Sequence, residues 1–416
     1  MENIQPDKLQ LIFFYLAGFL ISRLIIKVKL PQRIVFFFIG EKHLSFSKII
    51  LNLVAISAFL SFFIPNVITV LTLIPILELL RQSYEKTELK TGAIPTMLAL
   101  SAIYGANIGG IGSITATPAN GILAAFVEAQ AVAGREFITF ASWLVWGIPL
   151  VICFVFLAWF VLMLVFRPWR FGKTEIALPF SLETVRHPAQ KLTIITTVGF
   201  FLLSLALSAL IMRFPNYGIS ILIVTAVLTV FLVVFLFLIP LRIDPDSPQK
   251  FPLLAIKDCY SDLPMRGFAF VGIAVALAGI VYLFNLDRFL GGWVSQLIPQ
   301  GASFYIFLLI LALFTSFATE IFSNTAVQLS LFLIMLPASE ALGFSALPAL
   351  IIVTLSSTSA FMSPIATGVN GLAFGGVKNV SFKQMLIAGF FMNIAGALLL
   401  SNWILYVVSW VAGIFH

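Results

Sequence analysis

Two six-residue phrases, Ala116-Thr117-Pro118-Ala119-Asn120-Gly121 and Ala366-Thr367-Gly368-Val369-Asn370-Gly371, share the pattern Ala-Thr-x-x-Asn-Gly. Each interrupts a long apolar stretch, and each is preceded by a shorter polar interruption centred on an asparagine: Pro65-Asn66-Val67 and Ser323-Asn324-Thr325. A helix that stops and restarts inside an apolar layer exposes unpaired N–H groups and the positive end of its dipole, which suit an anion. The carbonyls freed by unwinding, with Asn and Thr oxygens, suit a small hard cation. Ser and Thr hydroxyls and Asn amides add specific hydrogen bonds. Gly109, Gly110, Gly112 and Pro118 let the chain unwind in the first copy, and Gly368 does so in the second. Small residues also serve helix packing alone. Two tips and two breaks in matching order favour the paired broken helices of a transporter's binding site.

The elements that must hold these residues are membrane helices. Of 416 residues, 61% are hydrophobic and only 10% charged, with 43 phenylalanines. A soluble chain of this size needs a far more polar exterior, and many stretches approach the roughly 20 apolar residues that span a bilayer. The first of these, at 9–26, lacks a small-residue cleavage site and reads as a retained helix. Cys153 and Cys259 do not suggest a disulfide framework. His43, His187 and His416 fall in loops or at the terminus without metal-ligand spacing. A membrane enzyme would need an acid–base or metal set within its spans; no His and no paired Asp/Glu lies there. The net charge of +7 sorts by topology and does not indicate nucleic acid.

Twenty of the 24 Lys and Arg residues fall in alternate connections, leaving only Lys8, Arg135, Arg213 and Arg288 in the others. The positive-inside rule makes the basic set cytoplasmic and places both termini outside the cell membrane. Segment 47–80 then has basic loops at both ends, so it enters and leaves on the cytoplasmic side as a re-entrant helical hairpin with its tip at Asn66. Segment 303–338 does the opposite. The expected fold is an all-α polytopic membrane protein of two inverted repeats, each with a hairpin and a broken helix. Its parts are an N-terminal helix and surface helix at 1–45, a first core at 46–166, a linker at 167–190, scaffold helices at 191–302 and a second core at 303–416. The breaks are expected at 109–117 and 362–367. Within this frame, expected helices lie at 33–40, 141–166, 192–212, 219–239, 267–284, 291–297 and 383–411. Glu320 is the one carboxylate close to a tip. It reads either as a hairpin cap or as a titrating group for proton coupling. Glu78 and Glu128 read as solvated helix ends.

At Thr319-Glu320-Ile321-Phe322-Ser323-Asn324-Thr325-Ala326 the chain resembles the divalent anion/sodium symporter family. Met362-Ser363-Pro364-Ile365-Ala366-Thr367-Gly368-Val369-Asn370 and the stretch from Asn107 to Asn120 resemble that family's two broken-helix loops. The resemblance implies sodium-coupled transport of a small anion, an elevator motion, a homodimer and no resident cofactor. It implies one sodium site at Ser61, the Pro65 carbonyl, Asn66 and the Ala116 carbonyl. A second would use Thr319, the Phe322 carbonyl, Asn324 and the Ala366 carbonyl. Substrate would meet Asn66, Thr117, Ser323, Asn324, Thr325 and Thr367. The first tip departs from the family's Ser-Asn-Thr by two hydroxyls, with Thr69 one turn along as a candidate substitute. Within transport, the second reading is a proton-coupled carrier or cation/proton antiporter; from another class, a passive channel.

Overall fold

The computed structural model describes residues 6–39, 45–85, 92–171, 187–240, 250–260 and 303–415. The first part holds α1 (Pro6–Lys27), α2 (Leu30–Ile39), α3 (Phe46–Phe63), α4 (Asn66–Glu85), α5 (Ala93–Gly109), α6 (Pro118–Ala129) and α7 (Phe140–Phe166). Next come α8 (Gln190–Arg213), α9 (Gly218–Phe237) and the short α10 (Ile256–Tyr260). The last part holds α11 (Phe304–Ala318), α12 (Asn324–Leu342), α13 (Ala346–Thr358), α14 (Gly368–Gly376) and α15 (Phe382–Asn402). A π-helical stretch, Trp403–Val408, joins α15 to α16 (Ser409–Phe415). The expected helices at 267–284 and 291–297 lie outside the described residues.

Among the described residues, seven helical stretches are long and apolar enough to cross a membrane: α1, α3, α4, α7, α8, Pro215–Phe237 and Phe382–Gly413. Their boundaries follow local chemistry. Thr139 and Ser142 form a reciprocal capping box at the start of α7, and Ser381 accepts the Gln384 N–H at the start of α15. Leu202, Val227 and Phe231 on α8 and α9 are exposed, as expected of side chains that meet lipid.

The buried centre is made by α3 against α5. A Cβ on Gly105 would collide with the Val54 carbonyl and lie 2.5 Å from Ser57 Cβ, so only glycine permits this approach. Ser57 Oγ donates to Ala102 O across the same contact at 2.7 Å. Polar contacts tie several of the connections to one another. Lys27 pairs with Asp258 at 2.7 Å and Arg33 donates to Gln190 at 2.8 Å. Elsewhere the Lys378 N–H reaches Glu78 at 3.3 Å, and the Ser381 N–H reaches Thr96 Oγ1 at 2.9 Å. In the sparse set, Lys8 Nζ donates to the carbonyls of Arg135 (2.7 Å) and Ile138 (2.8 Å). Glu78 and Glu128 are paired and not merely solvated, with Arg81 at 2.7 Å and Arg135 at 3.5 Å.

Gly105→Val is expected to lower the melting temperature of the detergent-purified protein by several degrees or abolish its monodisperse peak, since overpacking costs about 1–3 kcal/mol. Gly375 has open space where a Cβ would stand, and Gly375→Ala should leave that temperature unchanged or raise it.

Candidate functional site

The two breaks are built alike. In the first, α5 ends at Gly109 and α6 restarts at Pro118, with Thr117 as its cap accepting the Asn120 N–H at 3.4 Å. Asn120 Nδ2 then donates back to Gly110 O (3.0 Å) and Ser113 O (2.8 Å). In the second, α13 ends at Thr358, earlier than the expected 362, and α14 restarts at Gly368. Thr367 accepts the Asn370 N–H at 3.2 Å, and Asn370 Nδ2 donates to Ala360 O (3.2 Å) and Ser363 O (2.8 Å). The turn inside each loop corresponds too: Ala116 N to Ser113 O at 3.1 Å and Ala366 N to Ser363 O at 3.3 Å. The asparagine of the duplicated phrase is thus the brace of its own loop.

Other helices complete the bracing. Trp143 Nε1 donates to Ile111 O at 2.9 Å and Tyr15 Oη to Ile114 O at 2.5 Å. Asn107 Nδ2 crosses from α5 to the second break, donating to Ala360 O (2.7 Å) and Asn370 Oδ1 (3.4 Å). The two loops are therefore held against each other. Thr367 Oγ1 also donates to Asn370 Oδ1 at 3.0 Å, which commits its only proton in this structure.

At the first tip only residues 64–65 separate α3 from α4. Asn66 lies over the first break: a Cβ on Gly110 would sit 3.2 Å from both its Oδ1 and Nδ2, beside the Thr117 methyl. Val67 reaches the start of α14, 3.8 Å from where a Gly368 Cβ would stand. Ser61 Oγ donates to Thr69 Oγ1 at 3.0 Å, both buried. Thr69 thus accepts from Ser61. The Pro65 carbonyl accepts the N–H groups of Ile68 (2.9 Å) and Thr69 (3.1 Å). Ala116 is half-buried.

The second tip, 319–323, is longer and more open. Thr319 is buried and donates to Ser316 O at 2.9 Å; Phe322 is 63% exposed, and Ser323 is exposed. Asn324 and Thr325 begin α12 half-buried, as Asn66 and Val67 begin α4. Neither Asn66 Oδ1 nor Asn324 Oδ1 has a hydrogen-bond partner among the described residues, although both are buried. On α12, Gln328 Nε2 reaches Ala119 O in α6 at 2.8 Å. Each tip's outgoing helix therefore meets the opposite break, α4 on α14 and α12 on α6.

Glu320 fastens the second tip to the second break. It is 1% exposed. Its carboxylate accepts the N–H groups of Phe361 (2.8 Å), Met362 (2.9 Å) and Ser363 (2.6 Å), and Asn393 Nδ2 at 2.9 Å. Hydrogen bonds to a charged group are worth about 1.5–3 kcal/mol each. Of the two readings of this residue, the cap fits: every one of these contacts donates to it. Sequence reasoning missed Tyr15, Trp143, Gln328 and Asn393, and it had Asn107 only as the start of the first loop's motif. For Asn120 and Asn370 a signal existed, since an N-cap Thr with Asn three residues later is a local motif.

All-helical, multi-pass and broken twice around braced helix starts, the chain has the architecture of a membrane transporter and not of an enzyme. Residues 7–414 match the sodium:sulfate symporter transmembrane region. The chain belongs to that family of sodium-coupled anion symporters. It is 27% identical over 419 residues to the sodium-dependent dicarboxylate transporter SdcS of Staphylococcus saprophyticus, covering 97% of this chain and 78% of that one. The transporter of the same name from Staphylococcus aureus is 27% identical over 417 residues, covering 97% and 77%.

Asn370→Ala removes two side-chain hydrogen bonds, to the carbonyls of Ala360 and Ser363, and Asn120→Ala removes two in the first loop, to those of Gly110 and Ser113. Each is expected to cost about 2 kcal/mol or more. Each should cut sodium-dependent anion uptake in proteoliposomes at least tenfold; uptake at the level of the unmutated protein in either variant would refute the bracing role.

Proposed function

We propose that this protein is a secondary active transporter that couples sodium entry to symport of a small anion, a di- or tricarboxylate or an inorganic anion, across the cell membrane. The observation that carries this reading is the pair of buried, unpaired oxygens on Asn66 and Asn324, one at each tip. A buried amide oxygen without a donor is costly, and a sodium ion is the partner that a carbonyl-rich, carboxylate-poor setting suits. One ion sits among Ser61, Pro65, Asn66 and Ala116, the other among Thr319, Phe322, Asn324 and Ala366. The anion lies between the starts of α6 and α14, whose caps are Thr117 and Thr367, with Asn66, Ser323, Asn324 and Thr325 completing its shell. Both Staphylococcus relatives are named as dicarboxylate transporters, which supports a carboxylate as the first anion to try.

In this reading α3–α4 and α11–α12 are re-entrant hairpins entering from opposite sides, and the halves are inverted repeats. The correspondence of the two breaks and the crossed packing of α4 on α14 and α12 on α6 support it. The basic connections face the cytoplasm and both termini lie outside. The chain works as a homodimer, with α3–α7 and α11–α15 moving past α1, α8 and α9 as an elevator. Sodium coupling is preferred here to proton coupling through Glu320 because the family matched is a sodium symporter family.

The test is uptake of succinate, citrate and sulfate into proteoliposomes. An inward sodium gradient should accelerate at least one of them tenfold or more, and an inside-negative potential should add to it if cation charge exceeds substrate charge. Asn66→Ala and Asn324→Ala should each abolish the sodium-dependent component. Uptake of every anion independent of sodium would sink the coupling, and single-channel currents would favour a pore.

A further inference from the structure

The two halves match at their breaks but not at the joint between tip and break. Above the second break, Glu320 of the tip accepts the N–H groups of 361–363, and Asn393 of α15 donates to the same carboxylate. Above the first break the same two directions are occupied by carbon. A Cβ on Gly112 would meet Phe62, of the first tip's incoming helix, at 2.8 Å and Val151, of α7, at 3.0 Å. The helices correspond in register: Thr139 and Ser381 cap α7 and α15. Gly147 abuts the carbonyl of Gly112 in the first break, as Gly389 abuts Met362 in the second. Phe62 and Val151 thus stand where Glu320 and Asn393 stand in the other half.

We propose that Glu320 is a positioning residue that assembles the second cation site by clasping its tip to its break, while the first tip meets its break through the carbon of Phe62. The proposal rests on the sodium-symporter reading above. Glu320 adjoins Thr319 in sequence and lies one residue from the turn that presents the Phe322 carbonyl. Its partners, 361–363, lead into Ala366. The clasp therefore fixes both walls of one candidate sodium site relative to each other before any ion arrives. A site formed only part of the time binds with an affinity reduced by that fraction. Removing the clasp should weaken sodium binding there by lowering the fraction of assembled sites. Asn393, which supplies one of the four bonds and packs beside the carboxylate, is the second member of the clasp. In the first half, Phe62 also packs on Phe201 of α8 at 5.5 Å between ring centroids. That tip meets its break, at Gly112, and α8 through apolar contact of the same ring.

The experiment needs no transported substrate. Melting temperature of the purified full-length protein is titrated with sodium chloride against potassium chloride at constant ionic strength, since an ion that binds the folded state stabilises it. Glu320→Gln should raise the half-saturating sodium concentration at least tenfold. Glu320→Asp, which keeps the charge on a shorter stem, should fall between the two. A purely structural Glu320 would lower the melting temperature equally in both salts and leave half-saturation unmoved, which overturns the proposal. If Glu320→Gln does not yield folded protein, Asn393→Ala decides. A rise of about threefold, the loss of one bond among four, supports the clasp, and an unchanged value overturns it. Absence of any sodium-specific stabilisation in the unmutated protein would instead overturn the underlying symporter reading.

Discussion

A polypeptide backbone that leaves its helix inside a bilayer exposes carbonyl and N–H groups that have no water to turn to, at a cost of several kcal/mol for each one left unpaired. The rest of this structure depends on how that constraint is met. At the first break the carbonyls of Gly110, Ile111, Ser113 and Ile114 are taken by three side chains, Asn120, Trp143 and Tyr15. At the second break Asn370 and Asn107 take the carbonyls while Glu320 takes the amides. The braces come from α1, α5, α7 and the helices that follow the breaks, so the loops cannot form until those helices have packed. Close packing in turn needs the glycines of α5, which let α3 approach backbone to backbone.

Such bracing leaves certain polar groups unpaired. Near each break the tip asparagine retains a buried Oδ1 without a donor among the described residues, and these are the oxygens that the proposed sodium sites call on. Two sites from one duplicated plan need not be equal. The second tip is long, exposed at Phe322 and Ser323, and tied by charge. The first is short, buttressed by aromatic contact with Phe201, and capped by Pro65 and Val67 in place of hydroxyls. Val67 against the start of α14 brings methyl groups close to the positive end of that helix. An anion held there has backbone N–H groups and the dipole to rely on, while at the second tip it has hydroxyls as well.

How much of this was legible in the sequence divides along the range of the interactions. Helix positions were legible because apolar length and local breakers decide them: α7, α8 and α9 fall within a few residues of expectation. The breaks were legible because Gly, Pro and a capping Thr act within one turn. The end of α13 was not, since Ser357, Thr358 and Ser359 satisfy themselves on their own preceding carbonyls and the helix stops before the glycine. Tyr15, Trp143 and Asn393 were not legible as site residues either. Their partners lie on other helices, and in a chain rich in aromatic and small polar residues nothing local marks them. Glu320 stood out as a carboxylate beside a tip, but its partners are backbone groups, which carry no sequence signature.

The contacts between α1 or α8 and the remaining helices bear on how the proposed elevator can move. They are mostly apolar: Phe201 lies against Phe62, Phe63 and Phe140. The polar ties from α1 and α8 to the helices proposed to move include Tyr15 Oη to Ile114 O, Lys8 to the Arg135 and Ile138 carbonyls, the Ala141 N–H to Ser208 Oγ and Thr139 Oγ1 to Met212 Sδ. In lipid, sliding one apolar face past another exchanges like for like, because acyl chains are as apolar as the side chains they replace. Each hydrogen bond exchanged for another partner costs about 1 kcal/mol net. The braces inside each break are different. Apart from Tyr15, whose bond to Ile114 O crosses to α1, they tie helices that would travel together, so the motion asks only that one brace to open. A division of this kind, rigid where polar groups are buried and slippery where carbon meets carbon, lets a loaded site cross the membrane without being taken apart.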